Sequence, residues 1–405
     1  MDKKVDWLLL DLNSYFASVE QELDPSLRNK PVAVVPTQAD STSVIAASYE
    51  AKAFGVKTGV RVGDAKRMCP GLKLVEARHD AYIEYHHAII KAIETCLPVS
   101  AVLSIDEMAC KLMGSECNVD KATEIALKIK HTIKTTVGTQ LGSSIGLAPN
   151  RYLAKVASDM QKPDGLTILT KDILPHRLFT LKLRDFPGVG AKMEERLHKF
   201  GIRTVEQMFQ KDVHHLREVW GGINGERFWH WIHGHDIADI KTTQSSISQS
   251  HVLSPEHRNT QGVYAVLQRL IHKAAYRLRQ DGMWATHFYV KVKYMNDTKW
   301  EASSKLIECQ DTLSFIEALA AFWSRQKFKE YPRPIKAAIV LGGLVPNEYH
   351  NLSLFGEDKK SQLSKAMDKL NSKLGKNSVY FAGIQDTKTA APTRIAFTNI
   401  PDEIL

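Results

Sequence analysis

The residues of this chain best placed to do chemistry are three carboxylates: Asp11 and, far downstream, the adjacent pair Asp106 and Glu107. Carboxylate oxygens are the ligands that hard divalent cations prefer. Two such ions held roughly 3.5–4 Å apart can grip both the attacking and the leaving oxygen of an in-line phosphoryl displacement. On the residues alone a blander reading stands beside this one, because an Asp-Glu pair is often just a strand end meeting solvent. Neighbours on a strand also point to opposite faces. Joint use of Asp106 and Glu107 therefore requires a bulge, a turn or the strand tip at that point.

The elements that must position these groups are short. Leu8, Leu9 and Leu10 form an apolar run that reads as a strand buried on both faces, with Asp11 at its end. A carboxylate there is costly unless something pairs with it, and the expected partner is a cation. Asn13 or Ser14 could cap a following helix that carries Tyr15, Phe16 and Val19. A second apolar strand, within Ala101 to Leu112, carries the adjacent acids Asp106 and Glu107. Helices are expected over 80–97 and 119–137, and a strand running into a helix over 142–158.

Between these pieces, Leu27 to Val35 reads as a turn followed by a strand that pairs with 42–48, and a short helix over 49–54 that Gly55 ends comes next. Tyr49 and Lys52 share a face of that helix, so a hydroxyl and an ammonium could meet one triphosphate. As bare sequence they are an ordinary solvated face, and Lys162 before Pro163-Asp164-Gly165 is an ordinary turn residue. Phe186-Pro187-Gly188-Val189-Gly190 opening a helix through Leu197 reads as a helix-hairpin-helix. Its glycines allow close backbone approach to a phosphate, which a plain αα-turn would not need. The aromatic helix over 220–234 reads as core more readily than as a base-stacking platform. Polar, serine-rich 236–250 reads as a linker.

Beyond it the periods predict strand 247–253, helix 261–280, strands 286–294 and 299–306, helix 311–327 and strand 335–342. Phe288, Val290 and Val292 alternate with Tyr289, Lys291 and Lys293, so one face packs on helices while the other presents basic groups to a phosphate backbone. Residues 363–374 form an amphipathic stretch. The chain has 405 residues and a formal charge of +9. Residues 241–350 hold 15 Lys and Arg against 9 Asp and Glu, so +6 of that charge lies in this segment. Such a balance suggests a polyanionic partner. Five cysteines without a CxxC pair fit free thiols in a reducing cytoplasm. No stretch suggests a signal peptide or a membrane span.

Asp11-Leu-Asn-Ser-Tyr-Phe-Ala-Ser-Val-Glu20, Ser48-Tyr-Glu-Ala-Lys-Ala-Phe-Gly-Val56, Ser104-Ile-Asp-Glu107 and Gly188-Val-Gly190 together resemble the Y-family translesion DNA polymerases. The resemblance runs to about residue 345. It implies an α/β (α+β) right-hand polymerase with a ferredoxin-like palm (1–25 and 75–175), small fingers (26–74) and a helix-hairpin-helix thumb (176–237). A linker (238–247), a βαββαβ little finger (248–346) and a clamp-binding peptide with a C-terminal extension (347–405) would follow.

The implied activity is that of a low-fidelity DNA-directed DNA polymerase, a nucleotidyltransferase of DNA repair and the SOS response. Asp11, Asp106 and Glu107, with the Leu12 carbonyl, would hold two Mg²⁺. Tyr15, Tyr49, Lys52 and Lys162 would bind the nucleotide, and Phe16 would exclude the ribose 2′-hydroxyl. Ser43, Ile45 and Gly59 would roof the nascent base pair. Gly188, Gly190, Lys192, Tyr289, Lys291 and Lys293 would touch DNA. Asn351, Leu352, Leu354 and Phe355 resemble a sliding-clamp docking peptide. The implied partners are primer–template DNA, a deoxynucleoside triphosphate and the clamp, for a cytoplasmic monomer with no membrane contact.

Three positions depart from the family pattern: Lys52 stands where Arg is usual, Asn13 where an acid is frequent, and Asn351 where Gln is usual. Two rivals remain at this point. A non-catalytic scaffold of a mutagenesis complex would have no need of all three carboxylates. A nucleotidyl cyclase-like palm enzyme would have no use for the hairpin thumb or the basic little finger.

Overall fold

Three successive leucines commit the first strand, β1 (Trp7–Leu12), to the centre of a sheet. Leu8 and Leu10 are buried in one core and Leu9 in another, so neither face of β1 meets water. The computed structural model describes residues 4–240, 243–325, 332–350, 359–375, 377–388 and 390–391. They fall into two units that divide after Asp239.

In the first unit β1 turns into α1 (Tyr15–Leu23). Neither expected cap forms. Ser14 holds a left-handed backbone at φ 50° without a side-chain capping bond, and the Asn13 side chain is engaged elsewhere. A small sheet follows, built from β2 (Val32–Val35), β3 (Ala46–Ala47), α2 (Tyr49–Ala53), α3 (Val62–Met68) and β4 (Lys73–Glu76). Its order is β3-β2-β4, with β2 antiparallel to β3 and parallel to β4. Residues 75–76, expected in the palm, therefore pair within this smaller sheet. Ser48 caps α2 by accepting from the Ala51 N–H.

The chain then returns to the first sheet through α4 (His79–Glu94), β5 (Ala101–Ser104), β6 (Glu107–Lys111), α5 (Val119–Thr136), β7 (Ser143–Ala148), α6 (Arg151–Met160) and β8 (Leu166–Ile168). The strand order is β5-β6-β1-β7-β8. Helices α1, α4 and α5 bury the Leu8 and Leu10 face, and α6 covers the Leu9 face. Gly146 makes that cover possible. A methyl group there would lie 2.0 Å from the Ala154 carbonyl oxygen, so only glycine lets α6 rest on β7.

Four more helices, α7 (Ala191–Lys199), α8 (Val205–Phe209), α9 (Val213–Trp220) and α10 (Ile223–Ile232), share the core behind α6. Trp220 stacks on Phe228 with centroids 4.4 Å apart, so the aromatic helix is core as the sequence suggested.

The second unit opens with β9 (Ser246–Val252). This strand begins inside the stretch read as linker, because a single buried residue, Ile247, anchors an otherwise polar run. Then come α11 (Thr260–Gln280), β10 (Met283–Tyr294), β11 (Lys299–Cys309), α12 (Thr312–Trp323) and β12 (Pro334–Pro346). The antiparallel order β11-β10-β12-β9 and the two helices give the expected βαββαβ arrangement. Phe288, Val290 and Val292 are fully buried against the helices.

A last helix, α13 (Lys359–Leu374), packs on α12, with Asp368 paired to Arg279 at 2.6 Å and Ser364 accepting from the Thr312 N–H. Its inward residues include Ser361 and Ser364, whereas Leu363, Leu370 and Leu374 are exposed. The stretch is amphipathic, but leucines do not make the seam.

Candidate active site

Asp11 and Glu107 are direct partners in the β1–β6 register, and both lie on the face shared with Leu9 and Ala109. Asp106 occupies the tight connection between β5 and β6, just beyond a register shift between Val102 and Ser104. That turn is the device the sequence argument required, and it brings the three acids to one end of two neighbouring strands. The Leu12 N–H donates to the Asp106 carbonyl at 2.9 Å, which ties the end of β1 to the turn.

Burial is the main force on Asp106 and Glu107. It pushes the Asp106 carboxyl above its ordinary pKa, helped by the charge of Asp11 and opposed by a 2.5 Å hydrogen bond from the Ser104 hydroxyl. Glu107 is raised by the same desolvation, against the pull of Lys155. Among the described residues no three His, Cys, Asp or Glu side chains converge on one point. Lysines stand between them instead. The Lys155 ammonium lies 2.5 Å from Asp11, 3.1 Å from Glu107 and 3.0 Å from Asp159. Lys162 lies 2.7 Å from Asp11 and 2.8 Å from Asp159. Burial alone would lower both lysines, but the surrounding carboxylates reverse it and hold each pKa above the ordinary value.

The proposed phosphate ligands gather at the same place. Lys52 Nζ donates to Ser14 Oγ at 2.6 Å and lies 4.3 Å from the centre of the Tyr49 ring. Desolvation lowers the Lys52 pKa, and the neighbouring positive charge of Lys162 lowers it further. Burial likewise raises the Tyr49 hydroxyl. Tyr49, Lys52 and Lys162, from two separate segments, thus form a cationic, hydroxyl-bearing shelf beside Asp11. Phe16, two residues after Ser14, is half-buried and stacked on Tyr82.

Tyr15 differs from expectation. It is 3 % exposed and its hydroxyl donates to the Tyr82 carbonyl at 2.6 Å, so its side chain serves the core rather than a bound nucleotide.

Ser144, Lys155 and Asp159 join the site although sequence reasoning gave them no role, and Asn13, expected as a helix cap, joins them. Asn13 Oδ1 accepts from the Asp164 N–H at 2.7 Å, and its amide donates to Ser144 Oγ at 3.1 Å. Ser144 Oγ accepts in turn from the Gly165 N–H. These bonds hold the turn that carries Lys162. The signal for Lys155 was its i,i+4 spacing to Asp159, which in sequence looks like a surface ion pair. Only the docking of α6 shows where it points.

Gly188, Gly190 and Lys192 are exposed, and the positions that side chains at Gly188 and Gly190 would fill are open. On the outer sheet face of the second unit, Lys291 and Lys299 both pair with Glu301, at 2.8 and 3.1 Å, and Lys293 pairs with Asp297. Hydrogen bonds from Lys291, Lys299 and Tyr289 pull Glu301 down to about 2. That face is less bare of acid than the alternation suggested. Asn351, Leu352, Leu354 and Phe355 lie outside the described residues.

The family model for impB/mucB/samB proteins matches residues 10–159, and that for the C-terminal domain of the same family matches 244–354. A model for the thumb domain of DNA polymerase iota matches 184–236. DNA polymerase IV of Moorella thermoacetica is 32% identical over 382 residues, covering 93% of this chain and 95% of that protein. DNA polymerase IV 1 of Bacillus subtilis is 32% identical over 378 residues, covering 90% of each. Among solved structures, a Y-family polymerase chimera of Dbh and Dpo4 superposes with a TM-score of 0.70 at 22% identity, over 84% of this chain and 99% of that one. An insertion ternary complex of Dbh polymerase gives 0.54 at 21% identity, with the same coverage.

Proposed function

Since the chain belongs to the Y family of translesion DNA polymerases, we propose that its carboxylate cluster is the centre of a DNA-directed DNA polymerase acting in lesion bypass. The observation that carries this assignment is the register of Asp11 opposite Glu107, with Asp106 in the adjoining turn and the Tyr49–Lys52–Lys162 shelf beside them. The acids suit divalent ions by the chemistry of their donors: hard oxygens, two of them raised by burial and stabilised by any cation that arrives. Asp11, Asp106 and Glu107, with the Leu12 carbonyl, would hold two Mg²⁺, which favour the ionised primer hydroxyl and neutralise charge on the transferring phosphate.

The chain's own side chains supply the rest. Tyr49, Lys52 and Lys162 bind the triphosphate and align its reacting phosphorus with the primer end. Lys155 and Asp159 balance the charge of the cluster and orient Lys162. Phe16, five residues after Asp11, would sit beneath the deoxyribose and exclude a 2′-hydroxyl. Gly188, Gly190 and Lys192 hold the DNA backbone from the thumb, and Tyr289, Lys291 and Lys293 do so from the little finger, without reading sequence.

The proposed domain limits are those of the sequence reading, adjusted so that β4 goes with the fingers sheet and β9 with the little finger. The partners are primer–template DNA and deoxynucleotides, with the sliding clamp engaged through Asn351–Phe355. No helix among the described residues is long and apolar enough to cross a membrane, and a cytoplasmic monomer is proposed. Extension of a primed template with all four deoxynucleotides and Mg²⁺, across an undamaged base and then an abasic site, tests the assignment. Failure to extend either template would remove it.

A further inference from the structure

Phe16 stacks on Tyr82 with ring centroids 4.3 Å apart and planes inclined by 12°. Tyr82 is fully buried, and its hydroxyl donates to Glu20 Oε1 at 2.7 Å. Glu20 lies one helical turn after Phe16 on α1 and is also fully buried. A carboxylate taken so completely from water needs a charged partner. Arg78, at the head of α4 and one turn before Tyr82, provides it. Its Nε donates to both Glu20 oxygens at 3.2 and 3.1 Å, and Nη2 donates to Oε2.

The four side chains form a closed figure. Phe16 and Glu20 stand on α1 and Arg78 and Tyr82 on α4, joined by the ring stack, the ion pair and the Tyr82 hydroxyl. The Tyr15 hydroxyl holds the Tyr82 carbonyl from the other side. None of these groups touches the catalytic carboxylates in any hydrogen bond of the site described above. A hydrophobic core would stack as well without the cost of burying an ion pair. What the polar members add is direction, because the hydroxyl bond fixes the tilt of Tyr82 and so the plane of the ring above it.

Resting on the reading of Phe16 as the ring that excludes ribose, we propose that Glu20, Arg78 and Tyr82 are positioning residues for sugar selection. They hold Phe16 rigidly enough that a single added oxygen is felt as a clash. Without the hydroxyl bond, Tyr82 and Phe16 can tilt together and leave room for the 2′-hydroxyl.

The test is single-nucleotide incorporation on a primed template by wild type, Tyr82→Phe and Phe16→Ala, comparing kcat/KM for each ribonucleotide with its deoxy counterpart. Tyr82→Phe keeps the stack and removes one hydrogen bond. The ribo-to-deoxy ratio is expected to rise about two- to tenfold, with deoxynucleotide kinetics near wild type. A purely structural role would slow both sugars alike and leave the ratio fixed, and that result overturns the inference. So does an unchanged ratio in Tyr82→Phe alongside a raised ratio in Phe16→Ala, which leaves the gate itself standing. An unchanged ratio in Phe16→Ala removes the gate reading and the inference together.

Discussion

At the scale of single residues, the site is governed by how little water reaches its charges. Asp106 is half-buried in its turn, and desolvation holds its folded pKa above the ordinary carboxyl value. The folded chain therefore binds this proton more tightly than the unfolded chain. Its ionisation costs stability that is fully present below the ordinary value and is lost as pH rises through the shifted one. Asp106→Asn should accordingly raise the melting temperature of the metal-free protein at neutral pH, with the gain fading in acid. The same change should abolish nucleotide addition and leave primer–template affinity within a few-fold of wild type. Extension by the variant near the wild-type rate would remove Asp106 from the catalytic set.

Lys52 makes the second residue-level case. Its ammonium is a point charge where a guanidinium would offer a fork, and the nearby Lys162 already disfavours its charged form. Lys52→Arg should lower the KM for nucleotides by roughly three- to tenfold while kcat stays near wild type. An unchanged KM would mean that Lys52 does not reach the phosphates.

At the scale of elements, the β10–β11 hairpin shows how local pairing tempers a basic surface. Glu301 on β11 faces Lys291 across the ladder and also takes Lys299, so one acid occupies two of the face's cations. Glu301→Gln should release both. Primer–template binding at fixed salt is then expected to tighten, and the plot of log affinity against log salt to steepen by up to about 0.9 for each lysine that gains a phosphate. Titration of labelled primer–template at several salt concentrations measures this. Identical slopes in the two proteins would place the DNA on another surface.

For the whole molecule, the prediction concerns the segment between the last strand and the last helix. Leu352 and Phe355 follow Pro346, where β12 ends, and precede α13, which is anchored by Asp368 on Arg279. An apolar pair at this place in the sequence suits capture by a partner's groove, as the resemblance to a clamp-docking peptide implies. Replacing both with Ala should remove the stimulation of primer extension by the sliding clamp and leave extension without clamp intact. Loss of activity on naked primer–template would assign the pair to the fold instead.

The sequence by itself determined the elements and their order. Leu8-Leu9-Leu10 could only be a central strand, and the alternation through Phe288, Val290 and Val292 could only be a sheet with one covered face. Both are local consequences of period and burial. The motifs around Asp11, Tyr49, Asp106 and Gly188 likewise carried the family and the three acids. Tertiary structure decided what those acids meet. Lys155 drew no reading from the sequence, and it reaches Asp11 only because Gly146 lets α6 lie on β7. Asn13 read as a helix cap and instead holds the Lys162 turn across more than a hundred residues of chain. Glu20 closed a motif without a role, and packing of α1 on α4 gave it Arg78 and Tyr82. In each case the deciding partner is remote in sequence, and its direction is set by how one element docks on another, which local pattern does not encode.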